Sequence, residues 1–267
     1  MDRRYWGLAV TITLSLVIGI FGPAASSRAS AVNHEIWAEL LGKYVTPDGV
    51  NYTGFKKDED RLDQYLRILE NTDPEKLPRN EQFAYYINTY NAWTIKLILS
   101  GYPGVQSIKD FGTILKSPWQ KEWVRVNGDV ITLDHVEHDI LRPRYKDPRV
   151  HFAINCSAAS CPPLRPEPYL ADKLDQQLDD STRAFMNKVS NYRLEGNTLY
   201  VSRIFKWFSE DFNEDALGFY LQYAEGELKE KLIRDKDRIQ VKYLHYDWSL
   251  NDIKAEPNQK STMETDA

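Results

Sequence analysis

The chain has few cysteines, no long apolar run after its N-terminal region and no excess of positive charge. Its two cysteines, Cys156 and Cys161, lie far from the N-terminus, so we expect no lipid-modified cysteine at a signal cleavage site. The formal net charge of −5 provides no basic field for nucleic acid. A glycine-rich phosphate loop is also missing. We therefore expect no nucleic-acid partner and no membrane span after signal cleavage.

The N-terminus has the three parts of a secretory signal in the right order. Asp2-Arg3-Arg4 is a mostly basic start, Gly7 to Phe21 is an uncharged apolar run, and Ala29-Ser30-Ala31 provides small residues for cleavage. The alternative is an uncleaved membrane anchor, but the apolar run from Gly7 to Phe21 is shorter than the ~20 residues that a membrane-spanning helix needs. We predict a signal peptide at 1–31, a globular domain at 32–253 and a disordered polar tail at 254–267. The predicted location is periplasmic or secreted.

Hydrophobic periodicity predicts an α+β fold, with several amphipathic helices packed on a small, mainly antiparallel sheet with β-hairpins. The strongest helix signal runs from about Asn80 to Ser100, and another helix is predicted from about Ala216 to Arg234. Asn127-Gly128 and Gly196-Asn197 predict two hairpins. Val150 to Asn155 reads as a buried strand. Because no regular βαβ repeat is present, the pattern argues against a doubly wound parallel sheet.

Several segments of the chain match a known sequence pattern. The most specific stretch runs from Asp147 to Cys156, DPRVHFAINC, and continues through Ser160-Cys161-Pro162-Pro163-Leu164 to Tyr169. The other matching positions are Phe83, Ile87 to Ala92, Tyr102-Pro103, Ser107-Ile108, Leu133, Glu137-His138, Ile140-Leu141-Arg142, Phe205, Asp211-Phe212 and Tyr246 to Asn251. Together they resemble the DUF547 proteins, over roughly residues 83–251. The resemblance implies an exported bacterial domain, and it implies no settled activity.

Titratable and reactive side chains crowd between residues 135 and 161. A cysteine that enters a tight turn can carry a thiolate if an imidazole lies within ~3 Å. Cys156 or Cys161 is then the candidate nucleophile, and His138 or His151 is the candidate base. Glu137 is the candidate group that orients the ring. These residues predict a thiol-dependent hydrolase or acyltransferase that acts on amide or ester bonds of cell-envelope material.

Four further polar residues are candidates for substrate binding. Asn88 and Asn91 lie one turn apart on the long predicted helix, where they form either a buried hydrogen-bond network or a polar pocket wall. Arg142 and Arg149 either clamp a substrate carboxylate or form ion pairs with neighbouring carboxylates such as Asp147.

Two other interpretations of the cysteines stay open. A disulfide between Cys156 and Cys161 suits an exported protein, and a turn can bring them to the ~5.5 Å Cα separation of a bridge. That bond favours a non-catalytic envelope binding or scaffold domain. The second alternative is a zinc-binding domain, since cysteine, histidine and carboxylate side chains are zinc ligands. No other cofactor is predicted, and the expected partner is an unidentified small-molecule or envelope substrate.

Overall fold

Helices supply most of the regular structure of residues 32–253, which are the residues that this computed structural model describes. The predicted signal peptide at 1–31 and tail at 254–267 lie outside them. The α-helices are α1 (Glu35–Tyr44), α2 (Tyr52–Lys57), α3 (Glu59–Glu70), α4 (Arg79–Leu99), α5 (Arg142–Tyr145), α6 (Leu174–Met186), α7 (Ile204–Trp207), α8 (Ala216–Tyr223) and α9 (Gly226–Arg234). A π-helix, His135–Leu141, leads directly into α5. Within 32–253 no helix has the length and apolar character needed to cross a membrane.

Short 3₁₀ helices connect many of these elements. They are Pro74–Lys76, Ile108–Phe111, Pro118–Gln120, Pro148–Phe152, Val189–Asn191, Ser209–Phe212 and Lys236–Arg238.

The long helix α4 is the central element, and it confirms the helix predicted over residues 80–100. It follows Pro78, which sets an extended entry into the helix, and it ends at Leu99 before Ser100 and Gly101. Almost every side chain from Phe83 to Leu99 is buried, as expected for a helix that is apolar on most of its faces. Because α2, α3 and the π-helix pack against it, α4 fixes the position of the segments around it.

The strands of the described part of the chain form three small sheets rather than one. They are β1 (Val45–Thr46), β2 (Gly49–Val50), β3 (Val124–Val126), β4 (Asp129–Ile131), β5 (Tyr192–Glu195), β6 (Thr198–Val201) and β7 (Gln240–Tyr243). The pairs β1–β2, β3–β4 and β5–β6 are antiparallel, and β6–β7 is parallel. Both predicted hairpins are confirmed. Asn127 and Gly128 have φ values of 48° and 86°, the left-handed pair that a tight hairpin turn needs. The α+β class is confirmed.

The strand predicted from Val150 to Asn155 is wrong. The structure has a 3₁₀ helix, Pro148–Phe152, whose start is fixed by the Asp147 side chain accepting a hydrogen bond from the Arg149 N–H at 3.0 Å. The apolar run is buried against α6 and bonded to Asn91 of α4, and none of the described strands pairs with it. A short buried apolar run has the same composition in a strand and in a helix, so periodicity alone does not distinguish the two.

The single helix predicted from Ala216 to Arg234 is also wrong, because the chain bends between α8 and α9. Ala224 is extended at ψ 148°, and Gly226 has a φ of 52°. Glycine adopts this left-handed conformation without the clash of a Cβ, so it permits the break.

Two buried clusters make up the core, and they meet around one cleft. The larger surrounds α4 and includes Tyr90 and Ile154. The smaller is rich in phenylalanine, around Phe205, and includes Tyr246. Trp248 packs against both clusters. Their junction positions the candidate site.

Candidate functional site

A cleft of about 200 Å³ opens at this junction. It is lined by Tyr90, Trp119, Asp134, Glu137, His138, His151, Ile154, Cys156, Cys161, Pro162, Ile204, Trp207, Phe208, Tyr246 and Trp248. All five residues predicted as catalytic, Glu137, His138, His151, Cys156 and Cys161, are among them. The structure therefore brings the two cysteines and the two histidines to one solvent-reachable cleft.

The cysteines lie on a tight turn held by a buried asparagine. The Asn155 side chain accepts from the Ser157 N–H at 2.9 Å and donates to the Pro162 carbonyl at 2.7 Å. Ser157 has a φ of 62°, a left-handed conformation that a serine rarely adopts. The Cys161 N–H closes the turn on the Ala158 carbonyl at 3.0 Å. The turn is thus fixed at both ends, and it presents the Cys156 side chain at its start.

The C-terminal segment is bound to this turn along its backbone. The Asn251 N–H donates to the Ser157 carbonyl at 3.0 Å, and the Ala159 N–H donates to the Ser249 carbonyl at 2.8 Å. These bonds hold the chain so that Tyr246 and Trp248 form part of the cleft wall.

Neutral polar groups surround the two cysteine sulfurs. The Tyr246 hydroxyl lies 3.3 Å from Cys156 Sγ, and the Cys161 Sγ accepts a hydrogen bond from the Cys156 backbone N–H at 2.8 Å. Burial opposes ionisation of Cys156, but hydrogen bonds from Cys161, Tyr246 and the Ala158 backbone lower the pKa of its thiol below the ordinary value. Burial and the adjacent Cys156 sulfur raise the pKa of Cys161. Of the two cysteines, Cys156 is therefore the one that loses its proton first and becomes a thiolate.

His151 is fixed between two carboxylates. Its Nε2 lies 2.7 Å from Asp211 Oδ2, and its Nδ1 lies 4.0 Å from Glu137 Oε1. The ring stacks on Phe208 with centroids 4.1 Å apart. Burial lowers the pKa of His151, and the Asp211 hydrogen bond opposes that shift. Since both ring nitrogens face carboxylates, the geometry directs neither of them at a sulfur.

Arg142 connects this histidine to the other one. Its Nε and Nη2 donate to the two Asp211 oxygens at 2.5 and 3.1 Å, and it also pairs with Glu210. Its Nη1 lies 2.9 Å from His138 Nδ1. A guanidinium has donors only, so His138 Nδ1 accepts and the ring proton lies on Nε2. Burial alone would raise the pKa of Asp211, but hydrogen bonds from His151 and Arg142 lower it to about 2.

The π-helix carries Glu137 and His138 into the cleft. Pro143, just after it, has no N–H to continue an α-helical ladder, and its ring crowds the carbonyl of Asp139. The turn ahead of the proline therefore widens, and the Arg142 N–H bonds to the carbonyl of Glu137, five residues back.

Glu137 is the most strongly perturbed acid of the cleft. Its side chain is buried, and burial raises its pKa to about 7, while a hydrogen bond from Tyr90 opposes the shift. The Tyr90 hydroxyl in turn accepts from Trp119 Nε1 at 3.1 Å. Near neutral pH this carboxyl is therefore able to give or take a proton.

The two asparagines predicted to bind substrate do not line the cleft. The Asn88 amide clamps the backbone N–H and carbonyl of Tyr169, at 3.0 and 2.8 Å. The Asn91 amide bonds to the Ala153 carbonyl at 3.0 Å and to the Asn155 N–H at 2.8 Å. Both are fully engaged buried side chains, and Asn91 anchors the segment that leads into the cysteine turn.

Arg149 also lies away from the cleft. It pairs with Asp147 at 2.7 Å, with Asp175 at 2.8 Å and with Asp179 at 2.9 Å. Its guanidinium therefore joins the 3₁₀ helix Pro148–Phe152 to α6. Of the two predicted arginines, Arg142 alone borders the cleft network, and carboxylates of the chain occupy its donors.

Within 32–253 no group of three or more histidine, cysteine, aspartate or glutamate side chains is arranged to hold a metal ion.

The cysteine turn and the π-helix both fall within one family match. Residues 74–186 match the family described as a protein of unknown function, DUF547. This chain contains a DUF547 domain. Searches of the curated proteins and of the solved structures each found no match.

The DUF547 match includes part of the cleft and ends before the rest. Glu137, His151 and Cys156 fall inside it, whereas Tyr246 of the cleft wall and Asp211, which binds His151, follow it in the chain. Sequence reasoning missed both of these as site residues. Both residues lie in segments that resemble the DUF547 proteins, Asp211-Phe212 and Tyr246 to Asn251. That resemblance was the signal in the sequence that could have pointed to them. No local pattern tied them to a cysteine or a histidine.

Proposed function

We propose that this chain is a thiol-dependent hydrolase or acyltransferase whose nucleophile is Cys156. The observation that carries the proposal is a half-buried cysteine, in an aromatic-walled cleft, whose sulfur accepts hydrogen bonds from Cys161, Tyr246 and the Ala158 backbone. These donors favour the thiolate, which is the nucleophilic form of cysteine. Cys161 stays protonated and serves as one of the donors.

In this scheme, the Cys156 thiolate attacks the carbonyl carbon of an amide or ester and forms a C–S bond. The resulting oxyanion collapses, the C–N or C–O bond breaks, and the leaving atom takes the proton of Glu137. A water or an acceptor nucleophile then attacks the thioester and gives its proton to the Glu137 carboxylate, which restores the thiolate. Glu137 suits this role because its pKa is about 7 and it lines the same cleft.

The two histidines have different parts in this proposal. His151 orients Glu137 and binds Asp211, and it is a positioning residue rather than the base for Cys156. His138 is exposed at the cleft and carries its ring proton on Nε2, so we assign it the role of a donor to substrate.

The walls of the cleft favour substrates with a flat or apolar group beside the scissile bond. Trp119, Trp207 and Trp248 line it, and the indole rings of Trp119 and Trp248 lie 5.6 Å apart, edge to face. The signal sequence predicted at 1–31 supports a periplasmic or secreted location. We therefore propose an amide or ester substrate of the cell envelope.

The test is acylation by a small activated ester such as p-nitrophenyl acetate. We expect the protein to gain one acetyl group on Cys156, identified by peptide mass spectrometry, with release of nitrophenol. Cys156→Ala abolishes the adduct, whereas Cys161→Ala retains it on Cys156. An adduct on Cys161, or none on either thiol of a folded protein, contradicts the proposal.

A second candidate is the non-catalytic scaffold with a disulfide between Cys156 and Cys161. The hydrogen bond between the two cysteine side chains favours it, because it brings the two sulfur atoms close together. A thiol titration of the exported protein decides between the two. If no thiol reacts until a reductant is added, the disulfide replaces the nucleophile.

A further inference from the structure

Two neighbouring aliphatic side chains stand fully exposed at the tip of a loop beside the cleft. Ile114 has 104% and Leu115 has 91% of the surface of a fully exposed residue. Scattered single apolar residues are normal on a protein surface. Two consecutive exposed aliphatic residues on one turn leave a larger apolar surface in water than scattered single residues do.

The loop that carries them is held in one shape. The Thr113 N–H donates to the Lys116 carbonyl at 2.8 Å, and the Thr113 hydroxyl accepts from the N–H groups of Leu115 and Lys116 at 3.3 and 3.0 Å. At its base, a Cβ on Gly112 would lie 3.0 Å from Pro118 Cδ. The two aliphatic side chains are therefore presented by a closed turn, and little ordering is needed when they are buried.

Ammonium groups border this tip. Lys109, Lys116 and Lys121 are all exposed, and Lys109 Nζ lies 4.0 Å above the Trp248 ring. The Asp110 carboxylate in the same stretch is bound to the N–H groups of residues 106 and 107 at 2.8 and 3.1 Å. The chain has a net charge of −5, but residues 109–121 contain three lysines and one acidic residue.

We propose that this turn, residues 112–118, docks on a bilayer surface that contains anionic phospholipid. The aliphatic side chains of Ile114 and Leu115 enter the acyl region, and the lysines lie at the level of the phosphates. Two adjacent exposed aliphatic side chains on one short turn suit insertion between lipids, whereas a protein partner requires a broad complementary face.

The docking turn is directly connected to the cleft. It leads into the 3₁₀ helix Pro118–Gln120, and Trp119 of that helix forms part of the cleft wall. Docking would therefore bring one wall of the cleft close to the lipid surface. The inference goes beyond the proposed function, since it holds whether or not Cys156 is a nucleophile.

The test measures lysine acetylation of the full chain, by mass spectrometry, with and without vesicles of phosphatidylglycerol and phosphatidylcholine. We expect the anionic vesicles to slow the labelling of Lys116 about tenfold, and pure phosphatidylcholine to slow it less. Labelling of Lys236, which is exposed elsewhere, stays unchanged. Because the readout is local, binding through the N-terminal apolar run does not imitate it.

The double variant Ile114→Ser, Leu115→Ser is expected to lose this protection. Val189→Ser, at another exposed aliphatic residue, is expected to keep it. Protection of Lys116 that survives the double variant, or no protection by anionic vesicles, overturns the proposal. Protection that depends on protein concentration without vesicles assigns the turn to contacts between copies of this chain, and it overturns the proposal as well.

Discussion

The two sides of the cleft hold their reactive groups by different means. On the histidine side, the partners of His151 and Arg142 are carboxylates, and Asp211 binds both. On the sulfur side, the Cys156 sulfur accepts hydrogen bonds from the neutral side chains of Cys161 and Tyr246. Ion pairs with two or three contacts fix a geometry, whereas neutral donors lower a thiol pKa and leave the sulfur open to a substrate. Under the proposed function, the nucleophile lies on the sulfur side, and the ion pairs of the histidine side hold the groups that face it.

The largest loss of stability is expected from removing the charge of Asp211, the carboxylate that His151 and Arg142 share. We expect Asp211→Asn to lower the free energy of unfolding at pH 7 by about 3 kcal/mol, because the half-buried Arg142 loses its charge partner and His151 loses a charged acceptor. Urea denaturation measures the loss. The matched control is Glu210→Gln, since Glu210 binds the same arginine but its side chain is 75% exposed. We expect it to cost less than ~0.5 kcal/mol. Equal losses for the two variants contradict the account.

The pH dependence of the free energy of unfolding tests the raised pKa of Glu137, which lies beside His151. Its pKa is raised from 4.5 to about 7, so the folded protein holds the proton more tightly than the unfolded chain does. The stability from this group is present in full below pH 4.5 and is lost as the pH rises through about 7. We expect a loss of about 2 kcal/mol between pH 5 and pH 8, measured by urea denaturation, that Glu137→Gln lacks.

Glu122→Gln is the control for that measurement, because Glu122 is exposed. We expect it to keep the wild-type pH dependence. The lowered pKa of His151 acts in the opposite direction, since its stability is lost as the pH falls, and it is common to all three proteins. A Glu137→Gln variant whose stability still falls toward pH 8 by the wild-type amount contradicts the raised pKa.

On the sulfur side, one hydroxyl tests whether neutral donors favour the thiolate. Tyr246→Phe removes the donor 3.3 Å from Cys156 Sγ and keeps the ring. We expect the pKa of Cys156 to rise and its alkylation by iodoacetamide at pH 7 to slow about fivefold, which corresponds to about 1 kcal/mol. Tyr243→Phe changes an exposed ring elsewhere and should leave the rate unaltered. An unchanged rate in Tyr246→Phe removes the hydroxyl from the account.

The sequence allowed part of each side of the cleft to be assembled, and one residue of each side was missed. Glu137, His151 and Cys156 lie within one short stretch of chain, and their chemistry marks them without knowledge of the fold. Asp211 and Tyr246 follow much later, and each is an ordinary residue type with no local pattern. Their positions, beside His151 and in the cleft wall, depend on how the smaller core packs, which is a long-range property.

The helix α4 and the two hairpins could be predicted because their signals are local. A long apolar period and the Asn127-Gly128 turn act on neighbouring residues. The segment 150–155 could not be assigned, since its burial comes from α4 and α6 and its start from the Asp147 side chain. Likewise, the sequence left Asn91 open between a network and a pocket wall. Its contacts at residues 153 and 155 engage it in the backbone network.

The central claim is that Cys156, rather than Cys161, carries the thiolate, without an imidazole as its base. Site-resolved alkylation by iodoacetamide across pH, read by peptide mass spectrometry on the reduced protein, tests it most directly. We expect Cys156 to react with a pKa below that of an ordinary cysteine and Cys161 to react only at much higher pH. Two cysteines that titrate together at the ordinary value, or a more reactive Cys161, would contradict it.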